Sequence, residues 1–117
     1  MREVALPRRR VGVLLHPTAL PGTPVCGGLG APARRWVTAL AQHGIGLWQV
    51  LPLSPPDGTG SPYSSPSSFA INPWLLDAYD LADQGFLEPS DLERLPGAPA
   101  DSSVLDFSLA DQRAARL

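Results

Sequence analysis

Leu47-Trp48-Gln49-Val50-Leu51, followed by Pro52-Leu53, decides how the rest of the chain is read. Its apolar residues run almost without alternation, the pattern of a strand covered on both faces in a parallel sheet. A parallel strand needs a partner reached through a crossover. Val11-Gly12-Val13-Leu14-Leu15 supplies that partner, a short and partly β-branched run that is expected to be buried. Between the two, Ala33, Trp36, Val37, Leu40 and Ala41 recur at i, i+3, i+4, i+7 and i+8, one stripe of a helix. Pro32 suits a helix first turn, and Gly44 closes the helix as a C′ glycine. Strand, helix and strand make a βαβ unit whose crossover is expected to be right-handed, with Trp36 and Trp48 in its core. The fold class is α/β.

Bulk properties bound what such a chain can do. At 117 residues it is within the size of one domain, and 44% hydrophobic content allows a core. Its 14 prolines and 11 glycines make it loop-rich without reaching disordered composition. The net charge of −2 provides no basic stripe for a nucleic-acid backbone, so no nucleic-acid partner is expected. Arg8-Arg9-Arg10 precedes an apolar run that stops at His16 and Pro17, short of the roughly 7–15 residues of a signal h-region. Nothing approaches membrane-spanning length, so no membrane partner is expected either. A single cysteine, Cys26, cannot form an internal disulfide. The expected location is cytoplasmic.

The loop from Pro52 to Ser68 leaves the C-terminal end of the second strand, the edge where parallel α/β architectures bind ligands. Gly60 to Trp74, GSPYSSPSSFAINPW, sets Tyr63, Phe69 and Trp74 among serines and prolines at that edge. Past Pro73, the apolar residues Trp74, Leu75, Leu76, Tyr79, Leu81 and Ala82 suggest a helical or mixed segment ending at Gly85. In the tail, Ser90-Asp91-Leu92-Glu93 matches a capping box, and Ser108 to Asp111 is a weaker version of it. The last helix, SLADQRAARL, has no evident apolar partner. One βαβ unit cannot cover both faces of a parallel pair, and a complete (β/α)8 barrel takes about 250 residues. The chain is therefore expected to be the opening of a larger domain. Its parts are an N-terminal extension (1–10), the βαβ unit with its ligand-edge loop (11–87), and a polar, partly helical segment truncated at the chain end (88–117).

Gly28-Leu29-Gly30-Ala31-Pro32-Ala33 formally fits the G-x-G-x-x-A dinucleotide fingerprint. It follows Leu15 only after twelve residues, and no carboxylate appears until Asp57, so the fingerprint fails. No G-K-[ST] is present, and no cofactor is expected. His16 lies just beyond the first strand on the ligand edge; a loop histidine of this kind ordinarily organises the turn. His43, at the helix end, is a cation favoured by the helix dipole. Neither has a cysteine or second histidine at ligand spacing, so no metal is expected. Cys26 has no adjacent base and is structural. Asp77, Asp80 and Asp83, three apart, would line one solvated helix face. Tyr63 differs from these. It is flanked by Ser61 and Pro62 on a loop outside the core, and a ring with Ser61 and Asn72 nearby has the composition of a sugar platform. The competing reading is a ring folded back to pin its own loop.

LLHPTALPG, GGLG, WQVLPLSP, GSPYSSPSSFAINPWLLD and LADQGFL, in that order, resemble the N-terminal part of the 4-α-glucanotransferases, the amylomaltase or disproportionating-enzyme family (glycoside hydrolase family 77). The similarity runs from about Arg10 to Leu87, and more loosely to the end through LDFSLADQRAARL. The resemblance implies a (β/α)8 barrel of which this chain holds the opening β-α-β part. It implies retaining transfer of α-1,4-glucan segments between malto-oligosaccharide or glucan acceptors, without a cofactor. By the same resemblance Tyr63 would stack beside the glucose nearest the cleavage point, and Ser61 would help line the donor sites. His16, Asn72 and Pro73 would shape the loops near the site. The chain departs from the family at Gly28, where an acidic residue is common, and at Ile71, where a glycine is. Ser64 and Pro66 stand where Gln and an aromatic are common. Gly58 replaces a tyrosine that some members use for a secondary glucan site, so that site is not expected. No acidic residue here, Asp57 included, matches the family's three catalytic carboxylates. No catalytic residue is therefore expected in this chain, and alone it should be inactive. An alternative of another class is a small non-catalytic carbohydrate-binding or interaction protein derived from such an enzyme.

Overall fold

Strand β1 (Gly12–Leu14), helix α1 (Ala31–Gln42) and strand β2 (Leu47–Gln49) form the βαβ unit in a computed structural model that describes residues 9–97 and 105–117. Residues 1–8 of the N-terminal extension and 98–104 of the polar segment lie outside the described residues. The strands are parallel, with Gly12 opposite Leu47, Val13 opposite Trp48 and Leu14 opposite Gln49. Leu15 N–H donates to Gln49 O at 3.0 Å, and Trp48 Nε1 donates to Leu15 O at 2.8 Å, so the indole ties the C-terminal ends of both strands. Helix α1 stops where its sequence says it should. Gly44 takes φ +72°, Ile45 N–H reaches back to Leu40 O, and Gly44 N–H bonds Ala41 O, which together satisfy two of the last carbonyls.

Burial departs from expectation. Both strands were expected to be covered, yet Val11, Leu14 and Leu47 are 68%, 54% and 54% exposed. Only Val13 and Trp48, opposite each other in register, are half-buried within the strands. On the stripe of α1, Ala33 and Leu40 are buried, Trp36 is half-buried, and Val37 and Ala41 are exposed. Neither Trp36 nor Trp48 is therefore a fully buried core residue. Two strands and one helix have too little surface to cover a parallel pair on both faces.

The main cluster sits elsewhere. Val25, Trp74 and Ala110 are buried against one another, with Cys26, Leu109 and Ala114 packed around them. Trp74 belongs to the 3₁₀ turn Pro73–Leu75, and Ala110 opens helix α4 (Ala110–Ala114). The expectation that the last helix lacks an apolar partner is thus overturned. Its partner is a loop tryptophan, which helical periodicity cannot reveal. Asp106 N–H donates to Val25 O at 2.7 Å, and the buried Arg113 donates to Pro96 O at 2.9 Å. These bonds fasten the tail to the body.

The helix starts are corrected too. Helix α2 (Ala78–Asp83) is capped by Asp77, which is buried and accepts from Tyr79 and Asp80 N–H. Asp77 is not part of a solvated face: a carboxylate beside an N-terminus is worth more to the orphan amides than to water. Asp80 pairs with Arg34 of α1 at 2.5 Å, and Asp83 is exposed. Helix α3 (Pro89–Arg94) begins two residues before the expected box, with Glu88 as its cap and Asp91 accepting from Glu88 N–H at 3.1 Å. Pro89, with φ preset for a helix, takes the first position. Before α4 the cap is Asp106, which accepts from Ser108 N–H at 3.0 Å.

Candidate functional site

The loops leaving the C-terminal ends of β1 and β2 meet through His16. Its Nε2 lies 3.3 Å from Pro52 O and its Nδ1 2.8 Å from Thr18 Oγ1. A carbonyl only accepts, so Nε2 carries the proton and Nδ1 accepts from Thr18 hydroxyl and, at 3.4 Å, from Thr18 N–H. That is a neutral imidazole. Burial pushes its pKa below 6.5, against the smaller raising effect of the Pro52 carbonyl.

Beyond Pro52 the chain makes a turn around Asp57. Its Oδ1 accepts from Thr59 Oγ1 at 2.6 Å, Thr59 N–H at 2.8 Å and Ser61 N–H at 3.2 Å. The Thr59 hydroxyl, then the amides, hold the carboxyl below its ordinary pKa. Gly60, at φ +79°, turns the chain and donates to Asp57 O at 2.9 Å. Ser61 Oγ accepts from Tyr63 N–H at 3.4 Å. The Tyr63 side chain follows this turn, 73% exposed and without a hydrogen bond among the described residues. It does not fold back to pin its loop.

Asn72 closes the loop from the other side. It is 2% exposed; its Oδ1 accepts from Trp74 N–H at 2.9 Å and its N–H donates to Leu53 O at 3.2 Å. Pro73 fills the first position of the following 3₁₀ turn and is exposed. His16 and Asn72 come together on a cavity of about 160 Å³ whose walls include Thr18, Gly60, Trp74 and Phe107. Ser61, Tyr63 and Pro73 do not line it. Ligand pockets typically run to about 300–1,000 Å³, so this cavity is smaller than a usual ligand site.

Sequence reasoning missed three contributors here: Asp57 as the organiser of the turn, and Phe107 and Asp111, which hold Trp74. Phe107 stacks on Trp74 with ring centroids 5.6 Å apart, and Asp111 Oδ1 accepts from Trp74 Nε1 at 2.7 Å. Only the D-x-T-G spacing of Asp57 to Gly60, an aspartate two residues before a hydroxyl and three before a glycine, offered a local signal. Asp57 is thus committed to its own turn and Asp111 to the indole. Among the described residues no group of three or more His, Cys, Asp or Glu could hold a metal, and no helix is long and apolar enough to cross a membrane.

The glycines of the failed fingerprint have a packing role. A Cβ on Gly28 would stand 2.8 Å from Leu75 O, and one on Gly30 would strike the Asp77 carboxylate. Leu29 N–H donates to Leu75 O at 2.8 Å between them. Gly28 lets two backbones touch, and Gly30 makes room for the Asp77 carboxylate. Cys26 is half-buried and free, its thiol pushed up to about 11 by burial, with Arg113 acting weakly in the other direction.

Comparison with known proteins places these features in context. The family model for 4-alpha-glucanotransferase matches residues 15–114. A 4-alpha-glucanotransferase of a Synechocystis species is 45% identical over 105 residues, covering 90% of this chain and 20% of that protein. One from Thermus thermophilus is 46% identical over 91 residues, covering 78% of this chain and 17% of that protein. Among solved structures, an amylomaltase from Streptococcus agalactiae in complex with acarbose superposes with a TM-score of 0.80 at 34% identity, covering 91% of this chain and 21% of that one. The chain therefore spans about a fifth of the length of the relatives it matches.

Proposed function

The chain belongs to the 4-alpha-glucanotransferase family, and we propose that it forms the β-α-β opening of a (β/α)8-barrel enzyme that moves α-1,4-glucan segments between malto-oligosaccharide or glucan acceptors. In this reading one carboxylate attacks the anomeric carbon while a second gives its proton to the leaving glycosidic oxygen. The acceptor hydroxyl then displaces the enzyme carboxylate and returns its proton to the second group, so the anomeric configuration is retained. No acidic residue of this chain takes either part. The chain supplies binding: Tyr63 covers a pyranose face beside the cleaved bond, and Ser61 hydrogen-bonds a sugar hydroxyl. His16, Asn72 and Pro73 hold the loops that carry them.

One observation carries the reading. Tyr63 leaves 73% of its surface to solvent on a turn whose shape three bonds to Asp57 fix, at the C-terminal side of β2. An aromatic with no packing role, held on a structured turn at the ligand edge, is suited to stack on a sugar ring. The test is a titration of the 117-residue chain with maltoheptaose, followed by tyrosine fluorescence and NMR. The expected result is a response at Tyr63 that disappears in Tyr63→Ala, with no glucose released from maltotriose. A response that survives Tyr63→Ala sinks the platform role. Glucose release by the chain alone sinks the claim that its carboxylates are not catalytic.

A further inference from the structure

We propose that the cavity of about 160 Å³ bordered by Thr18, Asn72 and the Trp74–Phe107 pair is a binding site for one neutral hydroxyl group on a short aliphatic stem. The side-chain amide of Asn72 is its donor. Asn72 is 2% exposed, and its Oδ1 accepts from Trp74 N–H at 2.9 Å. That bond fixes which way the amide points, because a flipped NH2 would meet another N–H. The NH2 is then left without a hydrogen-bond partner among the described residues. Nor is it sealed in. Among the described residues, the fully enclosed side-chain atoms without a partner are Trp36 Nε1 and Asp77 Oδ2. The little surface that Asn72 keeps therefore includes its nitrogen, and the space that Asn72 lines is this cavity.

The walls select what can answer that donor. Thr18 is 7% exposed and gives its hydroxyl hydrogen to His16 Nδ1 at 2.8 Å, so its oxygen can only accept. A hydroxyl group accepts from Asn72 and donates to Thr18 at once. A carboxylate or phosphate does only the first, and no Lys, Arg, Asp or Glu among the described residues lines the space to balance a charge. Pro56, Pro62, Trp74 and Phe107 give the cavity apolar walls suited to C–H groups. At about 30 Å³ per water it has the room of about five waters. That is enough for glycerol or for the exocyclic hydroxymethyl of a sugar, and too little for an oligosaccharide. Two sources share this chemistry: a free polyol, or the hydroxymethyl arm of a glucose unit lying over the loop. The second rests on the function proposed above; the first does not.

The experiment titrates the isotope-labelled 117-residue chain with glycerol, with methyl α-glucoside and with methyl α-xyloside, which lacks the hydroxymethyl arm. The Asn72 NH2 pair is the direct NMR reporter, and the exposed amide of Gln42 registers bulk solvent effects. Glycerol is expected to give a saturating shift at Asn72 NH2, with Gln42 following only the solvent. Asn72→Asp keeps an oxygen for Trp74 N–H and removes the donor. Binding to it, read at the Thr18 amide, is expected to weaken about tenfold. Phe107→Trp, which fills the space with Asn72 intact, is expected to abolish the shift, and it carries the decision should Asn72→Asp not fold. No saturating shift at Asn72, or binding unchanged in the variants, overturns the proposal. A shift with the glucoside and none with the xyloside upholds it and assigns the hydroxymethyl arm. A response to glycerol alone upholds the cavity site and overturns the glucan as its source. Should maltoheptaose move Tyr63 while Asn72 ignores every probe, the function proposed above stands and the cavity site falls.

Discussion

In the βαβ unit, residues 12–49, the backbone is regular and much of the apolar surface faces water: Val11 beside it, then Leu14, Val37 and Leu47. In residues 72–78 and 105–117 the backbone is a chain of short turns, yet Asn72, Trp74, Leu75, Asp77, Ala78 and Ala110 are all buried. Regularity and burial have come apart. A parallel pair makes its hydrogen bonds with the first partner strand, but its faces are covered only by further layers. A turn-rich segment wrapped around one tryptophan reaches high burial with few residues, because each side chain comes from a different direction. Secondary structure here says where the frame lies, and the irregular segments say where the frame is fastened.

If that contrast is sound, removing the fastening should cost far more than removing frame surface. Trp74→Ala deletes the centre of the cluster and strands the Asp111 carboxylate; a loss of about 3–5 kcal/mol is expected in urea denaturation, comparable to the whole stability of many small domains. A smaller effect on unfolding than that of a strand substitution would break the comparison. Gly27→Ala should come next, at about 1–3 kcal/mol. A Cβ there meets Pro17 O, and lies 2.5 Å from Leu20 O and 2.8 Å from Leu20 N, backbone that cannot rotate away.

The loop ends should respond to acid before the cluster does. Neutral His16 has a folded pKa below its ordinary 6.5, so its contribution is fully present above 6.5 and is lost as the pH falls through the folded value. NMR shifts of Thr18 and Leu53 should follow that titration while Ala110 stays still, and His16→Gln should flatten it. Titration of Ala110 in step with His16 would show that the loop ends and the cluster are one unit. The smallest effect belongs to Leu47→Ser. This residue is 54% exposed, and stability should stay within about 0.5 kcal/mol while solubility rises. A cost of several kcal/mol would mean that the exposed strand face is covered in solution.

Much of the frame was legible from particular residues. The apolar runs at Val11 and Leu47 announced the strands, the 3.6-residue stripe announced α1, and Gly44 and Gly85 marked ends that the backbone honours with φ +72° and +80°. The exposure of Tyr63 was legible as well, since an aromatic that follows Ser61 and Pro62 in a loop after a strand has little chance of being core. Trp74 was harder. Its neighbours Leu75 and Leu76 suggest a helical face, whereas its partners, Val25, Phe107 and Asp111, are 33 to 49 residues away and share no period with it. The three aspartates at 77, 80 and 83 misled for a related reason: spacing alone does not distinguish a cap from a helix face until the helix start is known.

By itself the sequence determined the local geometry of this protein: two parallel strands, the helix between them, its stop, and a polar, aromatic loop leaving the C-terminal end of the second strand. These follow from short-range sterics, hydrogen-bond periodicity and turn chemistry, which act within a few residues. The tertiary structure alone decided which apolar groups leave water, and that Asp57 and Asp111 serve a turn and an indole. Burial and charge pairing depend on segments far apart in sequence meeting in space, and no local pattern records that meeting.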